Sequence, residues 1–511
     1  MKQEKIHLLH SRYNPQAEAD RYVNSLSNAL SLGEKTRFFI LIEPGLGYMV
    51  APLKKKVPGA KIIALHAQAH ETVESALSNE SVLSSESGIQ PPDSFWHPEM
   101  GISLQDFLER EIPDTLASEI RILEWRPALA VYGGEYLALI EESAEFIKRI
   151  DASARTFNAF GKRWFRNFFK NLHIMRTVLR PPPLNIPLVV AGSGPSLEDA
   201  IPLLKEDAKN DEVFVLAASS SHAALAAAGV RPQMTIAADG GQWALFHLFE
   251  CFRSSAFSEN SPGEKAPVLA ASLTAALPSQ CAGVPILPVS DGSLWQTLVL
   301  KEMKIPFVTL PQRGTVSASA LDLAFALTSG DIFIAGLDLD FKNIRCHARP
   351  YAFDRFLEES AFRLSPVHSQ AFKRTGLLKA GGSYGIYAAW FKNQVRSYPR
   401  RLYSLGKNNE VFDLLENKNC CFVKPKQKAK NSRQEISSAF IRQKKSQMIN
   451  LKFEDSPSVL AFGILEKALQ NPLFSAPLKK ELCQILKGGK TDTSDDELKD
   501  ALREHAFREQ A

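Results

Sequence analysis

The residues of this chain best suited to chemistry sit where apolar runs end. Leu188-Val189-Val190-Ala191 leads into Gly192-Ser193-Gly194-Pro195-Ser196-Leu197, the pattern of a buried strand, a glycine-rich turn and a helix start. Glycines let a ligand approach the backbone, Ser196 can cap the helix, and the N–H groups of its first turn suit a phosphate. A plain strand-to-helix turn is the competing reading. The next two apolar runs end in Ser219-Ser220-Ser221-His222 and in Asp239-Gly240. One polar strand end is ordinarily a helix cap, but three in succession on one sheet edge point to a site. Ser219, Ser220 and Asp239 are its expected contacts, whereas His222 falls one step into its helix and reads as packing. Gln312-Arg313-Gly314-Thr315-Val316-Ser317 precedes the apolar stretch Ala318 to Leu327, so Gly314 and Thr315 offer a further helix N-terminus to an anion.

Farther along, Leu337-Asp338-Leu339-Asp340 follows the run Ile332 to Gly336. Carboxylates at alternate positions can face one way and hold a divalent cation against a diphosphate; equally, Asp338 alone can accept a hydrogen bond from ligand hydroxyls. The second reading is preferred, with no metal ligand assigned. His347 lies in the following loop between Arg345 and Arg349. An imidazole that titrates near neutrality can take a proton from an attacking hydroxyl or give one to a leaving group, although most loop histidines are simply solvated. Tyr384 and Tyr387, after Gly381-Gly382, present aromatic faces and hydroxyls to a sugar or phosphate, or else pack in a core.

Positioning these residues requires a sheet. Apolar runs at 186–191, 213–218, 234–238, 268–271, 284–289 and 332–336 alternate with helical stretches, which implies an α/β fold with a mainly parallel sheet. A smaller α/β block precedes it. There, Arg37 to Glu43, the turn Pro44-Gly45-Leu46-Gly47-Tyr48 and Lys61 to His66 form one β-turn-α-β unit; the third glycine of a dinucleotide fingerprint is missing. A helical stretch from Ala144 to Leu179 carries aromatic residues at three- and four-residue steps and ends at Pro181-Pro182-Pro183. After about Tyr403 the strand signals fade, and the segments near 433–448, 458–469, 478–486 and 495–507 read as helices. The expected division is therefore 1–150, an N-terminal α/β domain; 151–183, a connecting helix; 184–405, the central domain; and 406–511, an all-α domain. Length agrees, since 511 residues suggest about three domains.

Composition sets limits on function. Hydrophobic residues at 45% and charged residues at 23% describe a globular chain that can bury cores. A net charge of +5 is too mild and too spread to indicate nucleic acid. The six cysteines form no CxxC pair, which argues against a zinc site or a disulfide framework. The opening residues lack the apolar segment of a secretory signal, and no run approaches the roughly 20 residues of a spanning helix. A cytoplasmic protein without membrane insertion is expected.

Taken in order, several segments resemble the motility-associated factor family of flagellin glycosyltransferases. They are Leu9-His10-Ser11-Arg12-Tyr13-Asn14-Pro15 with Glu18, Ala19 and Arg21; the Gly45-Leu46-Gly47-Tyr48 turn; Trp164, Asn167 and Asn171 leading to Gly192-Ser193-Gly194-Pro195-Ser196-Leu197; Gly229-Val230-Arg231-Pro232 before Asp239; Gly314 to Ser317; and Gly336-Leu337-Asp338-Leu339 before His347. The likeness covers roughly residues 5 to 405, although Gln233 stands where the family usually has an acidic residue. It implies a Rossmann-like central domain similar to bacterial sialyltransferases. It further implies a CMP-activated nonulosonic acid of the pseudaminic or legionaminic type as donor, and a flagellin Ser or Thr as acceptor. The Gly192 to Ser196 turn would hold the CMP end, with Ser219 and Asp239 on donor or nucleotide. Backbone amides at Gly194 and Thr315 would stabilise the phosphate, and His347 would transfer the proton; His347 and Asp239 are thus the catalytic candidates. No cofactor is required, because CMP carries one phosphate; Mg²⁺ enters only with a diphosphate donor.

The central domain also resembles an archaeal pterin pyrophosphokinase, which would move diphosphate from ATP with Mg²⁺. A third reading is a flagellin-binding chaperone that keeps the fold without turnover.

Overall fold

The structure is a computed structural model that describes residues 9–30, 36–69, 90–112, 119–181, 184, 187–209, 213–253, 268–339, 344–380, 387–388, 390–392, 402–405, 447–488 and 493–508. They form two compact units, Met1–Ala159 and Phe160–Ala511.

The first unit contains α1 (Pro15–Leu30), β1 (Phe38–Ile42), α2 (Val50–Lys56), β2 (Lys61–Leu65), β3 (Ser94–Trp96), α3 (Leu104–Glu111), β4 (Ile120–Glu124), α4 (Pro127–Tyr132) and the start of α5 (Gly134–Ile174). Its four strands are parallel, in the order β3-β2-β1-β4. All five residues of β1 are buried, which is why its sequence is an unbroken apolar run: a parallel strand is covered on both faces. The expected β-turn-α-β unit is β1–α2–β2. Its turn is filled from inside the unit, since a Cβ on Gly45 would lie 2.2 Å from Nε2 of His10. That same nitrogen accepts the Leu46 N–H at 3.0 Å.

The second unit begins within α5 and continues through β5 (Thr177–Leu179), β6 (Leu188–Ala191), α6 (Leu197–Lys209), β7 (Phe214–Ala218), α7 (His222–Ala227), β8 (Met234–Ala237), α8 (Leu245–Arg253), β9 (Val268–Ser272), β10 (Ile286–Ser290), α9 (Leu294–Glu302), β11 (Val308–Thr309), α10 (Val316–Leu327), β12 (Ile332–Ala335), α11 (Asp354–Glu359), α12 (Val367–Ala380), β13 (Leu402–Ser404) and β14 (Met448–Asn450), and ends in α13 (Pro457–Gln470), α14 (Ser475–Lys487) and α15 (Asp495–Phe507). Its sheet runs β13-β12-β6-β7-β8-β9-β10-β5-β14, with β11 paired to β10. Every pairing is parallel except that of β14 with β5. Alternate residues feed two cores: Leu188 and Val190 join α10 on one side, while Val189 and Ala191 join Leu197, Ala200 and Leu204 of α6 on the other.

This is the expected mainly parallel α/β fold. Helices follow at 457–470, 475–487 and 495–507, close to where periodicity placed them. Met448–Asn450, at the end of a stretch expected to be helical, is instead a strand; residues 433–446 lie outside the described residues. Three residues with one partner strand carry too short a pattern to distinguish from a helix turn.

Strand order fixes where a ligand would sit. From β6 the chain steps outward through β7, β8, β9 and β10, then returns to lay β12 against the other side of β6. The connections leaving β6 toward β7 and leaving β12 toward β13 thus diverge, and the carboxyl ends of these two strands form a topological switch point, where ligands of open α/β sheets bind. Small residues meet there, with Ala191 in register with both Ala335 and Ala217.

Candidate functional site

At the switch point the two strand ends touch through backbone. The Gly192 N–H donates to the Ala335 carbonyl at 2.8 Å and the Gly194 N–H to the Gly336 carbonyl at 2.7 Å. A Cβ on Gly192 would fall 2.4 Å from the Gly336 oxygen, and Gly336 itself holds a φ of +66°. Glycine is required at both positions because backbone lies against backbone. Asp338, nearly buried, turns both carboxylate oxygens onto the turn: Oδ2 accepts the Ser196 N–H at 2.6 Å and Oδ1 accepts the Ser196 hydroxyl. An internal carboxylate therefore occupies the N-terminus of α6, and the Gly194 amide expected to stabilise a phosphate is committed within the fold. Asp338 thus holds the turn from within the fold. Asp340, its partner in the DxD spacing, lies outside the described residues, among which no cluster of three metal-ligating side chains occurs.

His347 is brought to this turn. Its Nδ1 lies 3.2 Å from the Ser193 hydroxyl, and the Ala348 N–H donates to the Ser193 carbonyl at 2.8 Å. Arg345 grips Glu198 in the first turn of α6 with two N–H groups at 3.0 and 3.4 Å, and the Arg349 N–H donates to the same carboxylate at 3.0 Å. The Tyr351 ring stacks on the imidazole with centroids 4.0 Å apart. Glu198 and Tyr351 were not singled out by sequence reasoning; an acidic residue in a helix first turn and a tyrosine four residues beyond a histidine carry no signal until the loop is folded.

The end of β7 behaves differently from expectation. Ser219 is buried and Ser220 half-buried in a short turn of 3₁₀ helix. Ser221 supplies the structural bonds, its hydroxyl lying 2.9 Å from the Ala191 carbonyl and 2.8 Å from that of Ala218. His222 is fully buried beside Thr235, 3.5 Å from its hydroxyl, and burial pulls its pKa down to about 4. It is a neutral packing residue, as its position inside the helix suggested. At the end of β8, Asp239 is exposed, and its Oδ1 accepts the Gly241 N–H at 2.8 Å.

A third group lies after β11. Gly314 has a φ of +74°, and a Cβ there would meet the Tyr387 ring at 3.0 Å. The Tyr387 hydroxyl donates to the Gly314 carbonyl at 2.9 Å, and burial raises its pKa, so it stays a phenol. Arg313 lies over the Trp390 ring at 5.1 Å and pairs with Asp322 of α10 at 2.9 Å, yet burial outweighs that pair and raises the Asp322 pKa. Thr315 makes no side-chain cap at the start of α10. Gln312 reaches Asp291 at 2.9 Å. Beyond Asp291, both oxygens of Glu481 from α14 accept the Leu294 and Trp295 N–H groups at 3.0 and 3.2 Å, which caps α9. Tyr384 lies outside the described residues.

The carboxyl edge therefore gathers Gly192, Ser193, Gly194, Ser196, Asp338 and His347 into one contact group. Gly314, Thr315 and Tyr387 form a second group, and Asp239, Ser219 and Ser220 stand on the ends of β8 and β7 between them. Chemically, this edge offers an imidazole beside a glycine-rich turn, and the start of α10, where Thr315 makes no side-chain cap.

Comparison with known proteins finds partial matches. Residues 162–344 match the family model described as 6-hydroxymethylpterin diphosphokinase MptE-like, a span that runs from the end of α5 through Asp338 and stops just short of His347. An uncharacterized protein of Treponema pallidum (strain Nichols) is 28% identical over 295 residues, 57% of this chain and 60% of that protein. The chain thus covers less than two thirds of that relative. A solved MAf glycosyltransferase from Magnetospirillum magneticum AMB-1 aligns over 96% of this chain and 86% of its own at 13% identity, with a TM-score of 0.38; at that level the likeness carries no inference about activity. Both resemblances read from the sequence recur among these matches. Among the described residues no helix is long and apolar enough to cross a membrane.

Proposed function

We propose that the chain is a glycosyltransferase that moves a nonulosonic acid from its CMP-activated form to a Ser or Thr hydroxyl of flagellin. The observation that carries this reading is the pairing of His347 with Ser193 at the β6/β12 switch point, which sets an imidazole on the glycine-rich turn. In the reaction the acceptor oxygen forms a bond to the anomeric carbon of the sugar, the bond from that carbon to the CMP phosphate oxygen breaks, and the electron pair leaves with CMP. His347 accepts the acceptor's proton. Asp338 and Glu481 already fill the N-termini of α6 and α9, so the leaving phosphate is assigned to the start of α10 at Gly314 and Thr315, with Tyr387 bracing that turn. Asp239 receives the ribose hydroxyls of the donor's CMP. The site in this reading uses no metal. It is assigned to cytoplasmic chemistry because flagellin would be modified before export.

The test is the intact mass of flagellin from cells with the gene, without it, and with His347→Ala. Loss of a mass equal to a nonulosonic acid in both altered strains is expected. An unchanged mass in the deletion strain removes flagellin as acceptor.

A second reading is favoured by the family match over residues 162–344: diphosphate transfer from ATP to a hydroxymethylpterin. That chemistry ordinarily places Mg²⁺ on carboxylates, and Asp338 is a poor ligand while both its oxygens hold Ser196. Release of AMP from ATP in the presence of 6-hydroxymethylpterin and Mg²⁺ separates the two readings.

A further inference from the structure

Two asparagines one helical turn apart in α5 are bound to the loops that follow β8 and β9, and they are not equivalent. Nδ2 of Asn171 donates to the carbonyls of Leu273 and Ala275, at 2.9 and 2.8 Å, both in the loop after β9. Nδ2 of Asn167 donates to the Thr274 carbonyl of that loop at 2.9 Å and to the Gly240 carbonyl after β8 at 3.2 Å. A single amide nitrogen thus bridges two loops, and one of them begins at Asp239.

The rest of the Asp239 loop is held from the same side. The Asp239 carbonyl accepts the Ala276 N–H at 3.0 Å. A Cβ on Gly240 would lie 2.4 Å from the Trp164 ring and 2.9 Å from the Thr274 oxygen, so Gly240 is wedged between α5 and the β9 loop. The Asp239 side chain is exposed, and its recorded bond, to Gly241, lies within its own turn. Its direction is therefore set by the main chain, which Asn167 holds at Gly240 while the Ala276 N–H holds the Asp239 carbonyl.

We infer that Asn167 is the positioning residue for Asp239, fixing the carboxylate at the sheet edge so that it meets ligand hydroxyls, whereas Asn171 holds the β9 loop for stability alone. The inference rests on the proposed CMP-sugar reading of this edge. An amide is suited to the task because it supplies two N–H donors from one atom to two carbonyls; aspartate supplies none at that position, and leucine leaves both carbonyls unpaired.

The experiment is a double-substitution cycle on the full chain, with CMP binding read by calorimetry and melting temperature read alongside. Asn167→Ala should weaken CMP about tenfold, the scale of one hydrogen bond's worth of misplacement, while Asn171→Ala, with a comparable fall in melting temperature, leaves affinity within about twofold. In an Asp239→Ala background, Asn167→Ala should cost no further affinity although the melting temperatures still fall additively. A merely structural Asn167 would weaken CMP as much with Asp239 absent as present, or no more than Asn171→Ala does, and either result overturns the assignment. Should Asn167→Ala not fold, Asn167→Ser, which keeps one donor, enters the same cycle. A wild-type chain with no affinity for CMP instead overturns the donor reading and this inference with it.

Discussion

His222 and His347 are separated by what surrounds them. His347 is half-buried, linked to a hydroxyl and stacked on Tyr351; His222 is fully enclosed near the sheet with its pKa drawn down to about 4 by burial. The second case has a consequence for stability. Above about pH 6.5 the imidazole is neutral in the folded and unfolded chain alike and exerts no pH-dependent effect. As pH falls from 6.5 toward 4 the unfolded chain takes up the proton first, and folding loses stability; below 4 the loss is complete, on the order of 3 kcal/mol. Urea midpoints between pH 7 and 4 should show this slope, and His222→Gln should flatten it; an equal slope in the variant would mean that another group is responsible. Asp338 shows the limit of reading at this scale. Its neighbourhood of apolar and glycine residues marks a strand end, but nothing in Leu337-Asp338-Leu339 shows that its partner is Ser196, 142 positions earlier. Hence a carboxylate that looked available to a ligand or a metal proves to be an internal cap. For His347, by contrast, a position shortly after a buried strand is enough to suggest the carboxyl edge, where its imidazole lies beside Ser193.

Among the elements, what could be read was what is buried on both faces. The strands β1, β2, β6, β7, β8, β9, β10 and β12 are runs of four or five mostly apolar residues, and each was visible for that reason. The strands β3, β5, β11, β13 and β14 have three residues or fewer, too few to display alternation, and β4 mixes Arg and Glu into its pattern. The helix ends were least legible, because three of them are completed from far away: α6 by Asp338, α9 by Glu481, and the turn before α10 by Tyr387. Capping at α6 lends itself to a graded test. Asp338→Ala strands the Ser196 N–H and hydroxyl in a nearly dry place and should cost about 2 to 3 kcal/mol. Asp338→Asn can still accept from the amide and donate to the hydroxyl, losing chiefly the favourable charge at the helix N-terminus, about 1 kcal/mol. Chemical denaturation should rank wild type above Asn above Ala. An Asn variant as unstable as Ala would show that the charge itself, rather than the hydrogen bonds, holds the turn.

The whole chain divides its labour between two units. The buried core of the first closes on itself between Leu9 and Ile150, and at 159 residues this unit has the size of an independent domain. All the candidate site residues lie in the second unit, as do the C-terminal helices, which are bound to α9 and α5 through specific contacts. Glu481 caps α9, Ser458 meets His173 at 2.7 Å, and the backbone of Ile485 lies 3.1 Å from where a Cβ on Gly161 would stand. Trp295 of α9, fully buried, is packed between Phe165 and Phe168 of α5. The last turns of α5 therefore belong with the sheet, and a cut at 159/160 keeps Trp164, Asn167 and Asn171 beside the loops they hold. Residues 1–159 should fold alone, melt in one cooperative transition by circular dichroism and show no affinity for CMP. Residues 160–511 should bind CMP within about threefold of the full chain, since every candidate site residue lies in that unit and a threefold change is well under 1 kcal/mol. Cutting instead after residue 446 removes Glu481 and uncovers α9 and Trp295, and that fragment should lose CMP binding together with its thermal transition. CMP bound by 1–159, or full affinity in the chain that ends at 446, would show that the edge described here is not where the nucleotide is held.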